Sequence, residues 1–542
     1  MEEIEGIEMA SVAKGSLWSL IGQLAAKFFG FLYTVAIARL FMQEEIGIFY
    51  FALGIISIIS VFTDLGMIQV LARYVPYFYG KEEFGRLRKF IKFSLFLGGG
   101  LSFIFSLLIF FSAGFLAAAL EKPELKPLLE ILSITIFINE LAGLSGGILL
   151  GRKKMLEMQA CYILQAVAKL TLTVALAIFI IANSRIMSVA FVLSTILLLL
   201  TFGLFSWIEI RKWQRGAGDK TSYYIIGREI ISFGVIMSII TTFSVLATST
   251  DRIMIGLLGG KNAYVDVGIY SVITTLTTLL LIFPISITQI FFPVVSELFG
   301  KGKNEEIKKI TAVATKWLVF ITSPLTLIFL VFPDTFIRIF YGEQYASGWL
   351  VFILFVIGLF IYSLSLLPSR VIAAMRRLDI ELMIAALAAV ANIVLNFVFI
   401  MLYGMNGAAF ATMISFTVMT LLTFKFSKDL FNFNLPSDIH KPLTAGVIAL
   451  VILFLSRQYV LAQVGRLSEM PLVLFDEYGM LFLKLAIFTI LFIIASGVYV
   501  ILLVFSKSFS KPEFEILRKA FRKLKIPEKY AVAIIGMLGY NE

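Results

Sequence analysis

The stretch LSFIFSLLIFFSAGFLAAAL (Leu101–Leu120) contains no charged residue, and AFVLSTILLLLTFGLFSWI (Ala190–Ile208) has a similar composition further along the chain. A helix rises about 1.5 Å per residue, so about 20 apolar residues cross the roughly 30 Å hydrocarbon core of a bilayer. Both stretches are continuously apolar and do not alternate with polar residues, which favours helices over the strands of a membrane barrel. The sequence therefore predicts an all-α membrane protein.

The composition of the whole chain supports this prediction. Of its 542 residues, 60% are hydrophobic and 15% are charged, and the mean hydropathy is +0.96. A soluble domain has about 25% charged residues. The chain has one cysteine, Cys161, and one histidine, His440, which excludes an internal disulfide and argues against a Cys/His metal site. We expect no metal and no cofactor.

Apolar runs recur along the chain and predict about 14 transmembrane helices. The connections after even-numbered helices, together with the C-terminal tail, carry 32 Lys and Arg residues, whereas the connections after odd-numbered helices carry 6. Positive charge accumulates on the cytoplasmic side, so this pattern predicts a multi-pass protein of the cell membrane with both termini in the cytoplasm. It also explains the net charge of +11 without a nucleic-acid partner. The predicted helices cover residues 16–39, 46–70, 93–118, 128–150, 160–182, 187–208, 231–258, 267–292, 312–333, 347–369, 380–402, 406–424, 442–460 and 480–505.

The sequence also repeats itself at a shift of about 220 residues. GIFY at Gly47 matches GIYS at Gly268, and AVAKLTLT at Ala166 matches AVANIVLN at Ala389. Each repeat has six helices, an even number, so both copies share one orientation. They are then related by a pseudo-two-fold axis along the membrane normal. We predict two homologous six-helix bundles plus two C-terminal helices.

These observations divide the chain into six parts. The predicted parts are a cytoplasmic N-terminus (1–15), an N-terminal six-helix lobe (16–208), a cytoplasmic linker (209–230), a C-terminal six-helix lobe (231–424), two additional transmembrane helices (442–505) and a basic amphipathic cytoplasmic tail (506–542).

Membrane lipids are expected to contact the tail as well as the spans, because the tail has apolar residues on one helical face and cations around them.

Six charged residues stand out well inside the predicted spans of the two bundles. A charge at membrane depth costs on the order of 2.5–3.5 kcal/mol, so such residues usually face a cavity or one another. Asp64 is predicted in the second half of helix 2. The full set is Lys27, Asp64, Glu140, Lys169, Asp251 and Arg252.

Uncharged polar residues follow helical spacing in helices 1, 7 and 8, which are related or neighbouring helices of the two repeats. We predict that they line a water-filled central cavity, although hydroxyls in membrane helices often bond back to their own helix or pack between helices. The candidate cavity-lining residues are Gln23, Thr34, Ser238, Thr241, Thr248, Thr274 and Thr278.

The energy source of transport can be narrowed from the sequence. No Gly-Lys-Ser/Thr phosphate loop is present, which argues against ATP hydrolysis by this chain. Transport would then be downhill or would use an ion gradient. Asp64, Glu140 and Asp251 are the carboxylates that could take up H+ or Na+.

Several stretches resemble the polysaccharide transporter (oligosaccharide flippase) family of the multidrug/oligosaccharidyl-lipid/polysaccharide exporter superfamily. The resemblance covers residues 15–430 or so and leaves out helices 13 and 14, which many six-plus-six members lack. It is carried by EEIGIFYFALGIISIISVFTDLGMIQVLARYVPYF (Glu44–Phe78), TDRIMIGLLGGKNAYVDVGIYS (Thr250–Ser271), FPVVSELFGKGKNEEIKK (Phe292–Lys309), YGEQYASGWLVFILFVIGLF (Tyr341–Phe360) and NIVLNFVFIMLYGMNGAAFAT (Asn392–Thr412).

The resemblance implies a flippase that moves a polyprenyl-linked sugar by alternating access. It implies that Lys27 and Arg252, with Lys169 as a further candidate, bind the anionic (pyro)phosphate headgroup. It also implies that Asp64 and Asp251 gate, couple ions or organise the cations. A polysaccharide polymerase or glycosyltransferases would be partners.

Two other functions are open. A cation-coupled multidrug or metabolite antiporter of the same superfamily would favour an acidic, aromatic cavity over a basic one. A membrane glycosyltransferase or polymerase would need a large outer domain with acidic catalytic groups, yet the longest outer connection, Leu461–Gly479, has Asp476 and Glu477 as its only pair of neighbouring carboxylates. We therefore expect a transporter and not an enzyme.

Overall fold

The computed structural model describes residues 2–64, 66–213, 222–436, 438–469, 493–503 and 505. Within these ranges the chain folds into helices, and no strand occurs in them. The predicted tail (506–542) lies outside the described residues, as do the middle of the predicted linker (214–221) and the first half of predicted helix 14. The all-α prediction is confirmed.

The α-helices are numbered here in chain order, with three short 3-10 turns at Gly260–Asn262, Thr278–Leu281 and Glu343–Gly348. They are α1 (Glu2–Leu40), α2 (Gln43–Val61), α3 (Met67–Gly80), α4 (Phe84–Ala119), α5 (Leu125–Gly151), α6 (Met155–Phe179), α7 (Ser184–Arg211), α8 (Tyr223–Leu258), α9 (Ala263–Thr277), α10 (Ile282–Gly300), α11 (Asn304–Val331), α12 (Pro333–Phe340), α13 (Trp349–Ala374), α14 (Leu378–Phe431) and α15 (His440–Glu469).

Eleven helices of the described chain are long and apolar enough to cross a membrane, and shorter apolar helices cover His440–Leu455 and Ile493–Leu503. Helix α14 has 54 residues, more than two bilayer crossings need, and is broken at Gly404, whose φ is 57° and ψ is −137°. This break falls between predicted helices 11 and 12. The chain is therefore a multi-pass membrane protein, and each predicted span coincides at least in part with helix.

The second predicted span is interrupted, which corrects the placement of Asp64. Helix α2 ends at Val61 and α3 begins at Met67, so Asp64 lies in a non-helical break and not within a helix. Gly66 has a φ of 64°, in the left-handed region that glycine adopts without steric cost. Asp64 and Gly66 of the DLG sequence thus lie between the end of α2 and the start of α3.

The chain forms two compact units, of which the first comprises 1–279 and 382–415. Inside it, α1 packs on α6, α5 packs on both α4 and α7, and α2 packs on α9. One apolar core joins Met67, Phe90 and Leu144 with Trp213 and Ile226, which stand on either side of the undescribed linker residues. The lobes defined by the sequence repeat, 16–208 and 231–424, remain a prediction.

The second unit comprises 280–381 and 416–542. In it, α15 and Ile493–Leu503 pack against α11 and α12 through an apolar cluster that includes Leu327, Phe332 and Tyr499. The Tyr499 hydroxyl donates to the Pro442 carbonyl oxygen at 3.3 Å, and the buried Lys316 ammonium pairs with Asp438. The described parts of the additional helices are therefore packed against the helices of this unit.

Two glycines at equivalent positions of the repeat lie against each other where α2 crosses α9. A Cβ built on Gly47 would overlap the Tyr264 carbonyl oxygen, and one built on Gly268 would overlap the Gln43 carbonyl oxygen. Each Cβ would also come within 3.1 or 3.2 Å of the backbone nitrogen of the other glycine. Small residues let membrane helices approach closely, so the matched GIFY and GIYS sequences form this crossing together.

The crossing yields a prediction about stability. Gly47→Ala and Gly268→Ala should each lower the melting temperature of the detergent-solubilised protein. The added methyl meets backbone that cannot move away, at a cost of about 1–3 kcal/mol. Tryptophan fluorescence during heating would measure the change.

Gly203→Ala in α7 is the matched control, because a Cβ there meets no atom within 4 Å. Alanine is favoured over glycine inside a helix by about 0.5–1 kcal/mol, so this variant should melt at the same temperature or higher. Equal melting temperatures for all three variants would contradict the proposed close crossing.

Candidate functional site

A cavity of about 630 Å³ lies between α1 and α6 in the first unit. Helix α1 contributes Gln23 and Lys27, one turn apart on one face, and α6 contributes Gln165 and Lys169, also one turn apart. Gln159 approaches closely where Gly22 of α1 has no side chain. The structure thus brings together two of the three predicted headgroup cations.

The electrostatics of this cavity favour an anion. Among the described residues that line it, Lys27 and Lys169 carry positive charge and none is acidic. The Lys169 ammonium stands 4.2 Å from the centroid of the Tyr33 ring, a contact that stabilises the cation without neutralising it. Two uncompensated ammonium groups in a partly buried cavity repel each other, and a bound phosphate would relieve the repulsion.

The third predicted cation, Arg252, is not among the residues that line this cavity. Its guanidinium carbon lies 5.3 Å from the centroid of the Tyr50 ring, and its buried Nε has no hydrogen-bond partner in the described chain. Arg252 is half-buried. The prediction that it joins Lys27 in one headgroup site therefore remains a prediction.

Asp251 lies at the centre of a buried polar cluster formed by α8, α9 and α14. The Asn396 amide donates to its Oδ1 at 2.6 Å, the Thr412 hydroxyl donates to its Oδ2 at 2.7 Å, and the Tyr270 hydroxyl also donates to Oδ2. Asn396 also donates to Asn392 Oδ1 at 3.0 Å. All five side chains are less than a tenth exposed.

This Asp251 cluster is rich in oxygen atoms. Besides the carboxylate, it holds the Thr412 hydroxyl and the amide oxygens of Asn392 and Asn396, and the buried Asn396 Oδ1 has no hydrogen-bond partner in the described chain. Carboxylate, amide and hydroxyl oxygens are the ligands that hard cations prefer. The arrangement suits a small cation, whose positive charge would lie beside the Asp251 carboxylate.

The other two predicted carboxylates, Asp64 and Glu140, interact electrostatically. Asp64, in the break after α2, interacts electrostatically with Glu140 of α5, and Asp64 Oδ1 is buried with no hydrogen-bond partner among the described residues. A Cβ on Gly98 of α4 would come within 2.8 Å of Glu140 Oε1, so this glycine makes room for the carboxylate. Two carboxylates that interact in this way repel each other, and protonation of either one relieves the repulsion.

The predicted cavity-lining residues separate into two groups. Gln23 lines the cavity, whereas most of the hydroxyls donate to backbone carbonyl oxygens of their own helices. Thr34 donates to Gly30 at 2.9 Å, Thr241 to Met237 at 3.0 Å, Thr274 to Ser271 at 3.2 Å and Thr278 to Thr275 at 2.7 Å. Ser238 is half-buried, and the side chain of Thr248 lies outside the described part.

The sequence pattern did not predict the partners of Asp251. Asn392 and Asn396 are one turn apart in an otherwise apolar stretch, and an amide in a membrane helix calls for a polar partner. Both residues and Thr412 are in the NIVLNFVFIMLYGMNGAAFAT sequence quoted above. The two asparagines indicate that polar partners exist within the membrane, but they do not indicate that α14 lies beside α8.

Known proteins resemble this chain in sequence and in fold. The family model described as "Polysaccharide biosynthesis protein" matches residues 12–299, more than half of the chain. The chain belongs to the polysaccharide biosynthesis protein family. A second model, described as "MatE", matches residues 235–398. The predicted family is confirmed.

Two relatives of this family member come from archaea. An uncharacterized membrane protein of Methanocaldococcus jannaschii is 22% identical over 419 residues, which cover 75% of this chain and 82% of the relative. The "probable low-salt glycan biosynthesis flippase" of Haloferax volcanii is 25% identical over 156 residues, 29% of this chain and 33% of the relative.

A solved structure confirms the fold of this family member. The lipid II flippase in its inward closed conformation matches with a TM-score of 0.62 at 18% sequence identity, covering 89% of this chain and 98% of that chain. The match covers more of this chain than the predicted twelve-helix repeat alone.

The hydrogen bonds of Asp251 give a testable consequence. Thr412→Val keeps the side-chain shape but removes a donor to a buried carboxylate, so it should destabilise the protein by about 1.5–3 kcal/mol. A lower melting temperature in detergent would measure this loss.

Thr423→Val is the matched control in the same helix. Thr423 is equally buried, but its hydroxyl donates at 2.8 Å to the Met419 carbonyl oxygen of its own helix and to no charged group. The control should lose clearly less stability. Equal losses in the two variants would show that Asp251 does not depend on Thr412.

Proposed function

We propose that this protein is a flippase that moves a polyprenyl-(pyro)phosphate-linked oligosaccharide or polysaccharide repeat unit across the membrane. The observation that carries the proposal is the cavity that holds Lys27 and Lys169 with no carboxylate among its described lining residues. A phosphate headgroup supplies the negative charge that such a cavity lacks. Membership of the polysaccharide biosynthesis family supports the same class of cargo, and so does the flippase name of a relative.

Such a flippase would move its cargo from one side of the membrane to the other without making or breaking a covalent bond. The sugar and phosphate are polar and would cross inside the protein. The apolar polyprenyl tail would stay in the hydrocarbon core of the bilayer, where it is not exposed to water. Lys27 and Lys169 would hold the phosphate, and Gln23, Gln159 and Gln165 could bond sugar hydroxyls or phosphate oxygens. The protein is thus proposed to act as a transporter, not an enzyme.

The direction and setting of transport follow from the predicted orientation. For a protein of the cell membrane with both termini on the cytoplasmic side, cargo would be loaded from the cytoplasmic leaflet and released into the outer leaflet. Release there would supply lipid-linked units to a polysaccharide polymerase or to glycosyltransferases, the partners that we propose.

A cation-coupled multidrug or metabolite antiporter is the second candidate. The MatE match over residues 235–398 favours it, and so does the buried Asp251. A cavity for cationic drugs would be expected to contain carboxylates, however, and the cavity around Lys27 has none among the described residues. We therefore favour an anionic cargo.

We further propose that Asp251 couples transport to a cation gradient. Na+ would be bound by Asp251, Asn392, Asn396 and Thr412, whose oxygens are already gathered in one buried cluster. H+ is the alternative coupling ion. It could also bind to Asp64 or Glu140, two carboxylates that interact with each other. A ligand that binds better to one conformation shifts the protein towards that conformation, which is how a gradient can drive the cycle.

The flippase proposal predicts the effect of removing the cavity's charge. In vesicles with a nitrobenzoxadiazole-labelled polyprenyl-pyrophosphate disaccharide, the double variant Lys27→Gln and Lys169→Gln should flip at least about tenfold more slowly. Each charge-assisted hydrogen bond contributes about 1.5–3 kcal/mol. Bleaching of externally exposed label by dithionite measures the rate.

Lys153→Gln is the control for this measurement, because Lys153 is an exposed lysine in the α5–α6 connection and is not part of the cavity. It should flip at the wild-type rate. Wild-type flipping by the double variant would refute the assignment of the cavity to the headgroup, and export of cationic dyes instead would favour the antiporter.

The coupling proposal predicts an effect of Na+ on stability. A ligand that binds only the folded state at 100 times its Kd stabilises it by about 2.7 kcal/mol. Na+ should therefore raise the melting temperature of the wild type relative to choline at the same ionic strength. The rise should disappear in Asp251→Asn and persist in Asp334→Asn, because Asp334 of α12 lies outside the cluster. An equal rise in all three proteins would contradict the Na+ site.

A further inference from the structure

The two helices that enclose the cavity around Lys27 run in the same direction. Gly22 of α1 lies against Gln159 of α6, where a Cβ on the glycine would overlap the Gln159 side chain. Further along both helices, the Lys169 ammonium lies 4.2 Å from the centroid of the Tyr33 ring. Eleven residues separate the two α1 positions and ten separate the two α6 positions. The helices are therefore parallel and in step, and their lining residues can be compared level by level.

The cavity has two chemically different ends. Along α6, Gln159, Tyr162 and Gln165 line it at a spacing of three residues, and Lys169 follows one turn later. At about 1.5 Å per residue, Tyr162 lies about 10 Å and Gln159 about 15 Å from the level of Lys169. Lys27, on the parallel α1, lies between the levels of Gln159 and Lys169. One end of the cavity is therefore cationic, and the other carries amides and an aromatic ring.

Tyr162 presents its ring to the uncharged end of the cavity. The ring stands at 84° to that of Phe202, with the two centroids 5.2 Å apart. Phe202 is 1% exposed, whereas Tyr162 is 38% exposed and lines the cavity. The buried phenylalanine thus supports the tyrosine from one side and leaves part of its ring open to a ligand.

The amide of Gln159 requires a hydrogen-bond donor. This side chain is 7% exposed, and its Oε1 is buried with no hydrogen-bond partner in the described chain. An amide oxygen without a donor carries the cost of its lost hydration. The oxygens of an ionised phosphate only accept hydrogen bonds, whereas a sugar hydroxyl both donates and accepts. The sugar of the proposed cargo therefore matches Gln159, and its phosphates do not.

The Tyr162 ring matches the same ligand. A pyranose ring has C–H bonds on its faces, and these carry a small positive charge. The face of an aromatic ring is negative, so it attracts such C–H bonds while it covers the apolar part of the sugar. Leu150, Met155 and Met158 also line this end of the cavity. An aromatic ring beside an amide thus provides both kinds of contact that a sugar makes.

We propose that the Gln159 end of this cavity binds the first sugar of the lipid-linked cargo, with Tyr162 as the surface on which its ring packs. The phosphates bind between Lys27 and Lys169, and a sugar hydroxyl donates to Gln159. The inference rests on the proposed function and adds to it a residue that distinguishes glycosylated from sugar-free lipid. Tyr162 is thus a specificity-determining residue for the cargo.

The test compares two lipids on the full-length protein in detergent, namely polyprenyl pyrophosphate and the same lipid carrying a glucose disaccharide. Glucose serves as the probe sugar because both faces of its ring carry C–H bonds. Native mass spectrometry gives the two Kd values, whose ratio measures the contribution of the sugar. The wild type should bind the glycosylated lipid about tenfold more tightly than the sugar-free lipid. In Tyr162→Ala the two Kd values should agree within about twofold.

Further variants separate the sugar contact from other effects. Tyr162→Phe keeps the ring and should keep most of the ratio, whereas Tyr162→Leu keeps apolar volume without a flat ring and should lose it. The double variant Lys27→Gln with Lys169→Gln should weaken both lipids by the same factor, so that the ratio is unchanged. Tyr403→Ala is the matched control, since Tyr403 is an exposed tyrosine outside the cavity, and it should bind both lipids as the wild type does. Size exclusion and helical circular dichroism establish that each variant is folded.

The sugar site and the proposed function fail in different ways in this experiment. Equal Kd values for the two lipids in the wild type overturn the sugar site and leave the phosphate site in place. A folded Tyr162→Leu variant that keeps the wild-type ratio also overturns the sugar site, even if both lipids bind more weakly. Binding of neither lipid by the wild type overturns the proposed function itself. A ratio lost in Tyr162→Ala and Tyr162→Leu but kept in Tyr162→Phe supports the sugar site.

Discussion

The hydrocarbon solvent penalises every peptide group and every charge that lacks a partner, and this penalty organises the molecule at each level. It makes the described chain helical, because only a helix satisfies its own backbone within one segment. It also restricts where charges can lie. Asp251 is buried with three donors, Lys169 stands over an aromatic ring, and Lys316 pairs with Asp438. Lys27 has weaker compensation among the described residues, and an anionic ligand in its cavity would supply the missing charge.

The proposed site and the proposed coupling cluster use opposite charges on different helices. Cations of α1 and α6 face a cavity large enough for a phosphate and part of a sugar, whereas the Asp251 carboxylate is enclosed by α8, α9 and α14 without a comparable opening among the described cavities. A cargo with a bulky headgroup needs an accessible surface that water can enter. A coupling ion needs only a few oxygen ligands and a strong preference for one conformation. The separation allows each requirement to be met without compromising the other.

Sequence reasoning predicted the helices well, because hydropathy over about 20 residues is a strong signal, and charges such as Glu140 and Asp251 stood out in apolar runs. It did not single out Lys316, which lies near the start of a predicted span and is buried. It could not predict which charges meet. Lys27 and Lys169 are far apart in the chain, and periodicity gives the face of a helix but not the neighbour of that face. Asn392 and Asn396 showed a polar face whose partner, Asp251, came from another helix. The helix break at Asp64 had a local signal, the glycine of the DLG sequence, which the strength of the surrounding apolar run concealed.

The contact between Gly47 and Gly268 has a consequence for how the fold could arise. The two residues are the same position of a repeated sequence, and each contacts the backbone beside the other. Such reciprocity is the property of an isologous interface, in which one surface patch pairs with its own copy about a two-fold axis. Each predicted six-helix repeat would carry this patch complete. Two separate copies could therefore associate through it before any linker joined them, and a fused gene would inherit a working interface without a new mutation.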